Sequence, residues 1–125
     1  MKLYPFTMFN FQNLEVYKKS KSFHIACKKV ILDGKLEKYV TDQLGRASFS
    51  VPLNIAEGSG KFSSKDRRNF FTIARASVFE CYAVLDILND EGKIAESELK
   101  KIMSQADELS RILYSMIKNL SEKTA

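Results

Sequence analysis

A run of apolar residues near the C-terminal end, Leu99, Ile102, Ala106, Leu109, Leu113, Met116 and Leu120, is spaced alternately by three and four. Such spacing gathers every member onto one face of an α-helix but scatters them over both faces of a strand. Only the helix can bury them together. The same period recurs in three earlier segments. Val16, Ser20, Phe23, Cys27, Val30 and Ile31 share a face in the first, and Val40, Leu44, Ala47, Val51 and Ile55 in the second. Phe70, Ala74, Ser77, Cys81, Leu85 and Leu88 do so in the third. Short breaks around Gly34, from Gly58 to Ser64, and around Gly92 separate the four. With only 5 Gly and 2 Pro in 125 residues, the chain lacks the turns of a many-stranded protein. The expectation is an all-α, antiparallel up-and-down four-helix bundle in which residues 1–125 form one domain.

The predicted helices are 13–32, 37–58, 64–89 and 95–121, with Asn13 as the first N-cap. Ser63-Ser64-Lys65-Asp66 reads as a capping box that uses the shorter acid. Pro52 cannot donate to the Ser48 carbonyl and is expected to bend the second helix. Cys27 and Cys81 fall on core positions and should behave as small buried hydrophobes.

Two helices carry more apolar surface than one core stripe needs. Gly45, Phe49, Pro52, Leu53 and Ala56 form a second face on the second helix, and Phe79, with Thr72, Tyr82 and Ala83, forms one on the third. Both faces require burial, either by central placement within the protomer or by self-association. The second option makes Phe49, Leu53, Phe79 and Tyr82 an oligomer interface.

The chemistry available to the chain is narrow. One His (His24) and two Cys cannot build the common zinc sites within a single chain, and no other cofactor motif occurs. Gly58-Ser59-Gly60-Lys61-Phe62-Ser63-Ser64 superficially resembles a P-loop. However, Ile55 replaces the first glycine, Phe62 separates Lys61 from the hydroxyls, and a helix rather than a strand precedes it. No nucleophile and base are spaced as a pair, and Gln43, Arg46, Ser50, Asn54 and Glu57 read as polar packing along the second helix. A non-enzymatic protein is expected. No apolar run is long enough to span a bilayer, and Met1 to Gln12 lacks the apolar core of a signal peptide, which reads as cytoplasmic with reduced thiols.

The charge is uneven. Residues 1–75 hold 14 Lys and Arg against 6 Asp and Glu, whereas residues 76–125 hold 6 against 9. Lys18, Lys21, Lys28 and Lys29 lie in an arc opposite the first core stripe, with Leu14 and Ile25 inside the arc and Lys19 at its other edge. Lys61 precedes the third helix, whose first turns carry Arg67 and Arg68. Free N–H groups, the helix dipole and these cations suit a backbone phosphate. Binding through such surfaces is electrostatic and weakly sequence-selective. Two function classes follow: a nucleic-acid-binding accessory module, or a protein-interaction scaffold whose positive charge is incidental.

The run from Gln43-Leu44-Gly45-Arg46-Ala47-Ser48-Phe49 through Ser50-Val51-Pro52-Leu53-Asn54-Ile55-Ala56-Glu57-Gly58 closely resembles the signature of the four-helix-bundle family of 23S rRNA intervening-sequence proteins. Phe11-Gln12-Asn13-Leu14-Glu15-Val16-Tyr17 is similar to that family's opening block, where Trp is commoner than Tyr17. Phe70-Phe71-Thr72-Ile73-Ala74-Arg75-Ala76-Ser77-Val78-Phe79-Glu80 is similar to its third-helix block. Many members have a second arginine where this chain has Gly45, so a phosphate contact there is missing. The resemblance implies a homopentamer. It also implies kinship with the accessory variability determinant of diversity-generating retroelements, a basic barrel that binds reverse transcriptase and nucleic acid. RNA or DNA, and a polymerase or reverse-transcriptase partner, are the partners it suggests.

Overall fold

The fold comes from a computed structural model that describes residues 10–124. A short 3-10 turn, Asn10–Asn13, leads into four helices: α1 Glu15–Asp33, α2 Lys38–Ser59, α3 Ser64–Asp90 and α4 Glu96–Thr124. Each packs against its neighbours in sequence, and α4 returns to α1, which closes a square of four. The pairing runs antiparallel. Along α2, Gln43, Ser50 and Gly58 meet Glu80, Ser77 and Phe71 of α3 in descending order. Along α1, His24 and Ile31 meet Ser48 and Gly45 of α2 in the same sense.

Most of the core comes from the stripes read from the period, with Val78 and Phe71 added and Ile31, Val40 and Met116 only partly buried against it. Phe23, Leu44, Val51, Ile55, Ala74, Leu85, Leu109 and Leu113 are fully buried. Cys27 and Cys81 meet across the centre as free, buried thiols. Hydrogen bonding to Cys27, and then burial, push the Cys81 thiol well above its ordinary range. The three buried serines are each satisfied: Ser20 donates to the Tyr17 carbonyl at 2.6 Å, Ser48 bonds His24 at 2.8 Å, and Ser77 bonds Ser50 at 2.9 Å.

Several local expectations change. Asn13 lies in the 3-10 turn and does not cap α1; the N-cap is Leu14, without a side-chain bond. The chain enters α1 by a backbone turn, with Leu14 N–H donating to the Phe11 carbonyl at 3.0 Å, and needs no capping side chain. The core phenylalanine at the start of α3 is Phe71, while Phe70 is only half-buried. Gly58 explains the choice. A Cβ there would lie 2.7 Å from the Phe71 ring, so α2 and α3 touch closely at this point and the Phe71 side is the one they close over. At the start of α3, Ser63 accepts from the Asp66 N–H at 3.0 Å, as a cap should. Helix α2 continues through buried Pro52 as one element. The turn from α3 to α4 closes on Gly92, whose φ of 68° is left-handed, while Lys93 N–H reaches back to the Leu88 carbonyl at 2.9 Å.

Candidate nucleic-acid interface

Of the chain's 20 Lys and Arg, seven are candidates for phosphate contact, Lys18, Lys21, Lys28, Lys29, Lys61, Arg67 and Arg68, and the fold sorts them into separate places. On α1, Lys18 pairs with Glu15 at 3.5 Å, an exposed contact one turn away. Lys21 holds its ammonium 4.8 Å from the centre of the Tyr17 ring. Lys28 and Lys29 are exposed, and no acid pairs with them among the described residues. The arc does not act as a single row. Lys29 lines a groove of about 720 Å³ between α1 and α4, together with Ile25, Lys101 and Gln105. Lys18 lines an adjoining space of about 300 Å³ with Lys19, Gln105 and Glu108. Lys28 lies on the other side, near enough to His24 to disfavour its charged form.

Lys61 and Arg67 do converge. Both line a cleft of about 790 Å³ between the 3-10 turn, the end of α2 and the start of α3, with Phe11, Leu14 and Glu57 among its walls. Lys61 is held over the Phe70 ring at 5.0 Å, which gives the half-buried Phe70 its role. The Arg67 Nε is buried and has no hydrogen-bond partner. A buried guanidinium N–H without an acceptor is costly. Arg68 is half-buried and does not wall this cleft.

Three of the five polar residues of α2, Gln43, Ser50 and Asn54, do structural work, whereas Arg46 is exposed and Glu57 stands at the cleft. Gln43 donates to the Glu80 carboxylate, and the Asn54 amide donates to the Ser50 carbonyl at 2.8 Å and to its hydroxyl at 2.9 Å. Ser50 carries the network on to Ser77, which fixes the register of α2 against α3. His24 joins Ser48 at 2.8 Å, and Ser48 also donates to the Gly45 carbonyl at 3.3 Å. That arrangement has Nδ1–H of His24 donating to the serine. Burial, and then Lys28, hold the His24 imidazole below its ordinary value. Ser48 is wholly buried, so this His–hydroxyl pair is a helix-to-helix tie closed to substrate.

The second apolar faces remain uncovered. Phe49 is 52% and Phe79 55% exposed, with Leu53 and Tyr82 also open. Central placement within the protomer is thereby excluded for these four side chains. Pro52 and Gly45 belong elsewhere: Pro52 is buried inside the protomer, and Gly45 faces Ile31 of α1. The two patches occupy opposite flanks. Phe49 stacks 5.4 Å from His24 at the α1–α2 seam, whereas Phe79 and Tyr82 line a groove between α3 and α4. Arg75 sits 4.8 Å over Phe79 and donates to the Ser110 carbonyl at 3.1 Å, so it ties that groove's rim to α4.

Sequence reasoning missed the walls contributed by Phe11, Lys101 and Gln105, and it used Phe62 only to reject a P-loop. Phe62 had a signal, because a large aromatic in a Gly/Ser/Lys turn has no stripe to join. Lys101 had none: it lies on the polar face of α4, and only packing against α1 brings it to the groove. Among the described residues, no helix is long and apolar enough to cross a membrane, and no group of three or more His, Cys, Asp or Glu could hold a metal ion.

No curated protein matches the chain. A solved structure of a protein of unknown function from the S23 ribosomal protein family of Bacteroides thetaiotaomicron superposes with a TM-score of 0.77 at 25% identity, covering 82% of this chain and 98% of that one. The family model described as 23S rRNA-intervening sequence protein matches residues 12–115, and with four helices, their order and the α2 signature in place, this chain belongs to that family.

Proposed function

We propose that the protein is a basic, oligomeric, non-enzymatic accessory module of the cytoplasm that binds RNA or DNA through phosphate contacts. The carrying observation is the cleft lined by both Lys61 and Arg67, two cations from different elements brought to one concave site. Lys28 and Lys29, together with Lys18 and Lys21 in their exposed contacts, extend positive potential along α1, and Arg68 adds to it at the start of α3. Membership of a family named for segments within 23S rRNA supports an RNA-related role. The binding role needs no cofactor, and a polymerase or reverse transcriptase is the protein partner the reading favours.

Assembly strengthens the reading. Two different apolar patches on opposite flanks suit head-to-tail contact, with the Phe49–Leu53 face of one protomer meeting the Phe79–Tyr82 groove of the next. Head-to-tail contacts that close make a ring, and a homopentamer is such a ring. Repeating a weak phosphate site around it multiplies affinity through avidity.

The test is titration of the assembled protein with RNA and with DNA across a salt series. Affinity should fall steeply as salt rises, and replacing Lys18, Lys21, Lys28 and Lys29 by Gln should flatten the slope, by about 0.7 to 0.9 for each phosphate no longer neutralised. A scaffold that binds only proteins is the second reading, supported by the same exposed patches. Undetectable nucleic-acid binding at low salt by folded, assembled protein would decide for it.

A further inference from the structure

The α2–α3 turn presents an aromatic ring that the protomer does not use. Phe62 is 105% exposed, more open than any other large apolar residue described in the chain. Its flanks are basic: residues 61–68 contain Lys61, Lys65, Arg67 and Arg68 with the single acid Asp66. Lys61, the residue before it, walls a cleft that Arg67 also lines. Asp66 already sits in the first turn of α3, so the cations, rather than the helix terminus, supply the attraction there.

We infer that this turn is a site for single-stranded nucleic acid, with an unpaired base stacked on Phe62 and its phosphate held by Lys61 and Arg67. The inference rests on the nucleic-acid reading above and names the form of nucleic acid recognised. Adjacent Cα atoms lie about 3.8 Å apart, so Lys61 and Phe62 can meet the phosphate and the base of one nucleotide. Stacking requires a base face free of its duplex neighbours, and a ring projecting from a turn reaches such a base without entering a groove. Cations grouped with an exposed aromatic are what single-strand sites combine. A lone Phe is a poor membrane anchor, since one buried side chain supplies only a small part of stable insertion.

The experiment measures binding of fluorescein-labelled oligouridylate, the corresponding single-stranded DNA, and a fully paired duplex to the full chain at low salt. Charge density alone favours the duplex. A preference for single strands therefore reports base contact. Phe62→Ala should weaken single-strand binding about five- to a hundredfold, leave duplex binding unchanged, and leave the salt slope intact. Lys61→Gln should instead lower the slope by about 0.7. The chain contains no Trp. Phe62→Trp thus adds a unique fluorophore that should keep affinity and be quenched by either single strand, separating RNA from DNA by the extent of quenching. Because Phe62 is fully exposed, circular dichroism should show unchanged helix content in both variants. The inference is overturned if Phe62→Ala binds single strands as the parent does, even where nucleic-acid binding itself persists. It is equally overturned if the Trp variant responds to vesicles of phosphatidylserine and phosphatidylcholine but not to oligonucleotide. Absence of all nucleic-acid binding by the parent protein removes this inference together with the reading beneath it.

Discussion

Helices α4 and α2 obey the same period and spend it differently. On α4, Leu99, Ile102, Ala106, Leu109, Leu113 and Leu120 are all buried by the protomer, and Met116 packs against that core. On α2, the stripe of Leu44, Ala47, Val51 and Ile55 is buried, but Phe49 and Leu53 stand half-exposed on another side. The α4 stripe is explained by one chain, with Tyr114 lying off it and exposed. The open pair on α2 is surface that the proposed assembly would cover. The contrast between a stripe used for folding and a face proposed for assembly can be tested helix by helix.

The largest effect should come from the helix whose stripe is fully used. Leu113→Ala removes a wholly buried side chain and should cost about 2–5 kcal/mol in denaturant unfolding. A loss well below that range would mean that the α4 stripe does not carry the core. Gly58→Ala should follow at about 1–3 kcal/mol, because its new methyl would fall 2.7 Å from the ring of buried Phe71 and 3.0 Å from the Phe70 Cβ. Calorimetry of the variant checks this; no change would show that α2 and α3 can part at that point.

Phe49→Asp and Phe79→Asp sharpen the comparison from the other side. Each should keep its helix content while light scattering falls toward the 14.3 kDa of a single chain. Exposed positions away from caps and cores seldom change protomer stability by more than about 0.5 kcal/mol. If either variant stays fully assembled, that phenylalanine is not in the interface. The smallest effect concerns His24, which links α1 to α2 beside Phe49. Its pKa is lower in the folded chain than the ordinary value of 6.5, so the unfolded chain binds the proton more readily. Stability should therefore be unaffected by this group above that value and fall as pH drops below it, until the folded form also protonates. His24→Gln should remove that part of the pH slope, as read by unfolding curves between neutral and mildly acidic pH.

Seven apolar residues at alternating three- and four-residue spacing determine a helix, and four such stripes separated by short breaks determine a bundle. Sequence also determined that α2 and α3 carry surplus apolar faces, because a second stripe on a helix is a property of angular position alone. Tertiary structure decided the rest. Periodicity favoured Phe70 over its neighbour Phe71; the close approach at Gly58 put Phe71 in the core instead and left Phe70 beneath Lys61. The lysines of α1 share an arc on their own helix, yet α4 draws Lys18 and Lys29 into its seam while Lys28 lies by His24. The Lys61–Arg67 cleft likewise exists only because the 3-10 turn packs beside the α2–α3 turn. The physical reason is common to all three: a sequence period fixes where a side chain lies around its own helix axis, whereas its neighbours on other helices depend on the distance and register at which those helices meet.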